Sequence, residues 1–74
     1  MQLSDVLSSD PEIVSGAVVF KGTRVPVEAL FGNLRGGMSL EEFFDNYPTV
    51  QRSQVDAVLA LASQYIEKKL SRAA

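Results

Sequence analysis

The residues best equipped for chemistry lie at Lys21-Gly22-Thr23-Arg24, inside the stretch FKGTRVPV. Two cations, a hydroxyl and a glycine so close together suit three roles: a loop that holds phosphate, an arm that touches DNA, or a turn that feeds a helix. A phosphate loop needs several glycines and a helix start directly behind them. This segment has one glycine and matches neither the P-loop nor the dinucleotide spacing. As a turn it fits well. Gly22 is free to take a positive φ after a strand ending at Phe20, and Pro26 presets the backbone at a helix entrance. Thr23 and Arg24 are then expected to hydrogen-bond nearby backbone, the guanidinium fixing the N-terminal arm against the helices. The basic-arm alternative, with Lys21 and Arg24 beside a three-helix unit, stays open.

The remaining candidates for reactivity are carboxylates. The chain of 74 residues has no histidine and no cysteine, which removes the commonest general base, the commonest zinc ligand and any disulfide. Glu41, Glu42 and Asp45 form an acidic cluster, but acids are expected at the start of a helix because of its macrodipole. Neither an enzyme nor a cofactor or metal site is expected.

The elements that would position these groups follow from periodicity. One small domain is expected over 1–74, with an arm at 1–11, a β element and turn at 12–25, three helices at 26–70 and a tail at 71–74. Ile13-Val14 and Ala17 to Phe20 read as two short strands around Ser15-Gly16. From Val27 the period lengthens: Val27, Leu30, Phe31 and Leu34 share one helical face, which Gly36-Gly37 ends with a left-handed cap. Ser39 and Glu42 form a capping box, and Met38 with Phe43 fits a hydrophobic staple. Leu40, Phe43, Phe44 and Tyr47 continue the buried spacing until Pro48.

A third helix is expected from about Gln51, with Val50 and Val55 as a second staple. Its inward stripe runs Val55, Val58, Leu59, Ala62, Ile66 and Leu70. Leu61 and Tyr65 widen the apolar arc to about half the circumference. The arm and hairpin are one cover for that arc; a partner surface is the other. The tight turn from Pro48 to Gln51 between a short and a longer helix matches the helix-turn-helix plan. The use of such a helix on DNA is a separate matter. Its outward face carries Ser53, Asp56, Ala60, Gln64 and Glu67, and two acids there would repel phosphate. Only the first turn, Gln51 to Gln54 with Arg52, resembles a reading surface.

Bulk properties set the compartment and partners. The net charge is −2 and the apolar fraction 46%, ordinary for a globular chain and less basic than a dedicated nucleic-acid binder. No apolar run approaches a membrane span, and the N-terminus MQLSDVLSSD lacks the regions of a signal peptide. A cytoplasmic protein is expected.

In their order, these landmarks resemble the small bacterial and archaeal family known as domain of unknown function 433. The landmarks are an acidic-Pro start, a Gly before a short strand, Gly22-Thr23-Arg24 followed by Val25 and, after Pro26, Val27, a helix, a Gly stop with Ser39-x-Glu41-Glu42, Tyr47-Pro48, and a closing helix. They cover roughly residues 10 to 66, and Gly-Thr-Arg with Tyr-Pro at this separation is specific in combination. The resemblance implies a homeodomain-like three-helix fold with an N-terminal β element, often dimeric. It also implies the antitoxin of a type II toxin–antitoxin pair, binding a PIN-like ribonuclease toxin and in some cases repressing its own operon. A stand-alone helix-turn-helix transcriptional regulator is the alternative. Gln51 departs from the pattern, which favours Thr or Ser as the cap. The closing KKLSRAA leaves little room for a toxin-wrapping segment, so the folded domain or its arm is expected to meet the toxin. Candidate operator-DNA contacts are Arg24, Gln51, Arg52, Ser53 and Gln54. Candidate toxin or homodimer contacts are Val18, Phe20, Leu61 and Tyr65.

Overall fold

The N-terminal arm is a structural element in its own right. The computed structural model describes residues 2–12 and 16–73. Leu3–Val6 forms a single helical turn, α1, started by the Gln2 N–H donating to Asp5 Oδ2 at 2.8 Å. The chain then extends into strand β1, Leu7–Ser9, which pairs antiparallel with β2, Val18–Phe20, Leu7 lying opposite Phe20. The Ser9 hydroxyl donates to the Gly16 carbonyl at 2.8 Å and secures the far end of this ribbon. The partner strand therefore comes from the arm. Residues 13–15, where the sequence places a strand at Ile13-Val14, lie outside the described residues.

After Phe20 the chain reverses through Gly22, which takes φ +80°. The Thr23 hydroxyl donates to the Phe20 carbonyl at 2.8 Å and accepts from the Val25 N–H at 3.0 Å. The Phe20 N–H in turn reaches the Val25 carbonyl at 3.0 Å. The turn is thus locked by Thr23, as expected. Arg24 takes no part: its side chain makes no hydrogen bond or ion pair among the described residues. Lys21 supplies the tie to the arm instead, its Nζ donating to the Ser4 carbonyl at 3.2 Å.

Helix α2, Val27–Arg35, begins behind Pro26 at φ −64° and ends in a Schellman motif. Gly37, at φ +96°, donates to Leu34 O at 3.1 Å, and Met38 to Asn33 O at 2.9 Å. Only Gly37 of the glycine pair is left-handed; Gly36 stays helical at φ −79°. Helix α3, Leu40–Asn46, opens with both bonds of the Ser39–Glu42 capping box, 3.2 and 3.0 Å. Helix α4, Arg52–Ala73, has 22 residues, about 33 Å at 1.5 Å per residue. That approaches the molecule's longest dimension, 39 Å.

These elements make a mainly helical fold of four helices and one two-stranded sheet among the described residues. Phe43 is fully buried at the centre, its ring 6.4 Å from Phe20, 5.8 Å from Phe44 and 4.9 Å from Tyr47. Val6, Leu30, Val50, Val55 and Val58 close around them. Along α4 the core ends near Leu59. Ile66 and Leu70, assigned to the inward stripe from their spacing, are 56% and 67% exposed. The periodicity was real, but the body of this small protein is too short to cover five turns. No described helix is long and apolar enough to cross a membrane.

Candidate functional site

Two of the concave surfaces formed by the described residues bring candidate site residues together. The first is an open groove of about 420 Å³ floored by α2 and α4 and rimmed by α1. Val27 and Phe31 of α2 face Leu61, Tyr65 and Ile66 of α4 there, with Leu3 and Leu7 at its edge. The groove exists because α4 outruns the core: its inner apolar stripe continues past the last layer that can pack on it. Tyr65 is 63% and Leu3 53% exposed. Lys69 lies 5.4 Å over the Tyr65 ring and Lys68 lines a smaller hollow beside Leu3, so the projecting end of the face is basic-edged.

The second is a polar-edged cleft of about 710 Å³, formed where the Gly22-Thr23-Arg24 turn faces the α3–α4 turn at Tyr47 and Thr49. Ser8 of β1 completes the rim. The two sequence landmarks, Gly-Thr-Arg and Tyr-Pro, thus meet in space although 22 or more residues separate them.

Of the residues proposed for DNA contact only Arg24 lines this cleft, and two of the others have other work. Arg52 pairs with Glu41 Oε1 at 3.0 Å and stacks 4.7 Å over the Phe44 ring. Gln54 accepts from the Gln51 N–H at 2.9 Å and donates through Nε2 to the Lys21 carbonyl at 2.9 Å. It therefore supplies the missing half of a helix cap for Gln51 and staples α4 to the β2–α2 turn. Gln51 and Ser53 are exposed, and Arg24 lines the cleft.

The partner-contact set divides differently. Leu61 and Tyr65 line the groove, and Val18 is 44% exposed at the sheet edge. Phe20 is a correction: it is fully buried against Phe43 and has no surface to offer. Alternation along β2 points one of Val19 and Phe20 away from the core, yet both are buried: Phe20 belongs to the core cluster, and Val19 is covered outside it, where it bridges to Pro26. Sequence reasoning missed Leu3, Ile66, Ser8, Tyr47 and Thr49 as surface-site residues. Ile66 and Leu3 carried a signal, being apolar at positions with no guaranteed cover, and Tyr47 carried one as part of the Tyr-Pro landmark.

Glu42 is held below its ordinary carboxyl value by the Ser39 backbone N–H and then by the Ser39 hydroxyl. No group of three or more His, Cys, Asp or Glu side chains converges to hold a metal among the described residues.

The fold and its surfaces define a small, mainly helical domain with a two-stranded antiparallel sheet and open concave faces. The chain belongs to the family described as "Protein of unknown function (DUF433)", whose model matches residues 7–62. It is similar to "Uncharacterized protein y4eO" of Sinorhizobium fredii, with 32% identity over 63 residues, covering 85% of this chain and 27% of that protein. The chain thus spans about a quarter of that relative's length. Its fold is similar to the crystal structure of a DUF433 member protein from Anabaena variabilis, with a TM-score of 0.70 and 24% identity. That likeness covers 89% of this chain and 65% of the other.

Proposed function

We propose that this chain is a non-enzymatic protein-binding module of the cytoplasm, the antitoxin of a type II toxin–antitoxin pair that neutralises a PIN-like ribonuclease by direct contact. The observation that carries its binding role is the apolar face of α4 beyond Leu59, where Tyr65, Ile66 and Leu70 are each more than half exposed beside a groove already lined by α2. A monomer with so small a core gains nothing from leaving three large apolar side chains in water on one helix; a partner that covers them does. The toxin as that partner comes from the family resemblance. A second copy of the chain, forming a homodimer, is the competing occupant.

The test is co-expression of the tagged chain with the product of the adjacent open reading frame. A stoichiometric complex, together with growth arrest when the neighbour is expressed alone, is the expected result. A chain that purifies only with itself would sink the antitoxin role.

A second reading, a homeodomain-like helix-turn-helix regulator bound to operator DNA, is favoured by one observation. Helices α3 and α4 are joined by a tight turn, with Gln51 and Ser53 exposed where a reading helix begins. Against it, the cation at that end is spent on Glu41 and Phe44, and Gln54 is held by Lys21. Binding to the chain's own promoter that weakens steeply with salt, and depends on Arg52, would favour this reading.

A further inference from the structure

Most of the cations whose side chains are described have a partner within the protein. Lys21 reaches the Ser4 carbonyl, Arg35 pairs with Glu28, Arg52 with Glu41, and Lys69 lies over Tyr65. Arg24 and Lys68 have no such partner among the described residues, and their surroundings differ. Lys68 borders a hollow lined by Leu3, Leu61 and Tyr65, with Gln64 as its other polar neighbour. Arg24 lines the larger cleft together with the hydroxyl-bearing side chains of Ser8, Tyr47 and Thr49. None of those three hydroxyls makes a hydrogen bond within the protein among the described residues. The fourth hydroxyl of the cleft, Thr23, is already committed to Phe20 and Val25. One uncommitted guanidinium and three uncommitted hydroxyls therefore share a concavity whose walls are two locked turns.

We propose that this cleft is a socket for a single carboxylate, an Asp or Glu side chain presented by the protein partner, with Arg24 as its principal ligand and Ser8, Tyr47 and Thr49 as auxiliary donors. The inference rests on the partner-binding function proposed above. A guanidinium presents paired donors that match a carboxylate's two oxygens. A nucleic-acid backbone calls for a row of cations, whereas the cleft holds one and the chain's net charge is −2. The rigid walls add specificity: Gly22 and Thr23 fix the turn bearing Arg24, and the Val50 N–H bond to Tyr47 O at 3.1 Å fixes the opposite turn.

The experiment follows the amides of Gly22, Arg24 and Thr49 and the Arg24 side-chain Nε–H by NMR. The probe is an acetylated, amidated Gly-Asp-Gly peptide; its Asn counterpart, inorganic phosphate and a single-stranded oligonucleotide are the other arms. The expected result is a saturable shift of those signals by the Asp peptide and none by the Asn peptide, with the response lost in Arg24→Gln. The spectrum of that variant should otherwise be unchanged, because Arg24 is exposed. In the partner complex, Arg24→Gln should raise Kd about tenfold or more. Absence of any saturable response to the Asp peptide overturns the socket, as does a stronger response of the same signals to phosphate or the oligonucleotide. A partner complex unaffected by Arg24→Gln also overturns it and leaves the antitoxin function standing. Saturable peptide binding by a chain that captures no neighbouring gene product supports the socket and removes the antitoxin function instead.

Discussion

Thr23 and Arg24 are neighbours with opposite duties, and the difference is one of hydrogen bonds. The Thr23 hydroxyl closes the turn from both sides, while Arg24 beside it is bound to nothing among the described residues. Thr23→Val keeps the volume and deletes both bonds, leaving the half-buried Val25 N–H without its acceptor. Thermal or urea unfolding should show a loss of about 1–2 kcal/mol, a Tm drop of several degrees in so small a domain. An unchanged midpoint would mean the turn is held by its backbone bonds alone. Glu42 offers a test by pH. Its carboxyl sits lower in the folded protein than its ordinary value of 4.5, chiefly through the Ser39 backbone N–H. A depressed folded pKa means that the stabilisation is fully present above the unfolded value and disappears as pH falls through the folded one. The parent chain's resistance to urea should therefore fall as the pH drops below about 4.5. In Glu42→Gln, which cannot titrate there, the Glu42 part of that slope should vanish.

Helix α4 is two objects joined end to end. Its first two turns carry Val55 and Val58 into the core, fully or almost fully buried, and its later turns carry Ile66 and Leu70 into the open. Val55→Ala should cost roughly 2 kcal/mol by loss of burial and cavity formation, whereas Leu70→Ala should change the isolated chain by less than about 0.5 kcal/mol. Equal costs in denaturant unfolding would show that the tail packs on its own protein after all. The same helix marks the limit of what the sequence reveals. Its period, and the starts and stops of α2 and α3, were legible because Ser39 with Glu42, Pro26 and Gly37 act through local bonds. The tail's lack of cover was not legible, since a 3.6-residue stripe looks the same whether its cover is the chain or a partner. Strand β1 was missed for a related reason. Leu7-Ser8-Ser9 has little β propensity, and what makes it a strand is a non-local ladder to Val18–Phe20. The cleft was half legible: Gly-Thr-Arg and Tyr-Pro stand out as motifs, but only the fold brings Arg24 against Tyr47 and Thr49.

At the scale of the whole molecule, the candidate surfaces and the thin core belong together. A chain of 74 residues without a disulfide has little stability to spare, so a partner that covers the groove acts on folding as well as on recognition. Binding to the native state alone stabilises it by mass action, about 2.7 kcal/mol at a hundredfold excess over Kd. The expected signature is a Tm that rises when the partner is added. The double variant Tyr65→Asp with Ile66→Asp separates the two contributions. Both side chains are more than half exposed in the free chain, so two carboxylates there should leave its unfolding midpoint close to the parent's. They should remove the partner-induced rise, because a charge buried against an apolar face without a counter-ion is strongly unfavourable. Differential scanning of the free and bound chain reads both effects. A Tm that climbs with the chain's own concentration, and loses that climb in the double variant, would put a second copy in the groove. A rise that survives both carboxylates would move the partner's footprint off α4 altogether.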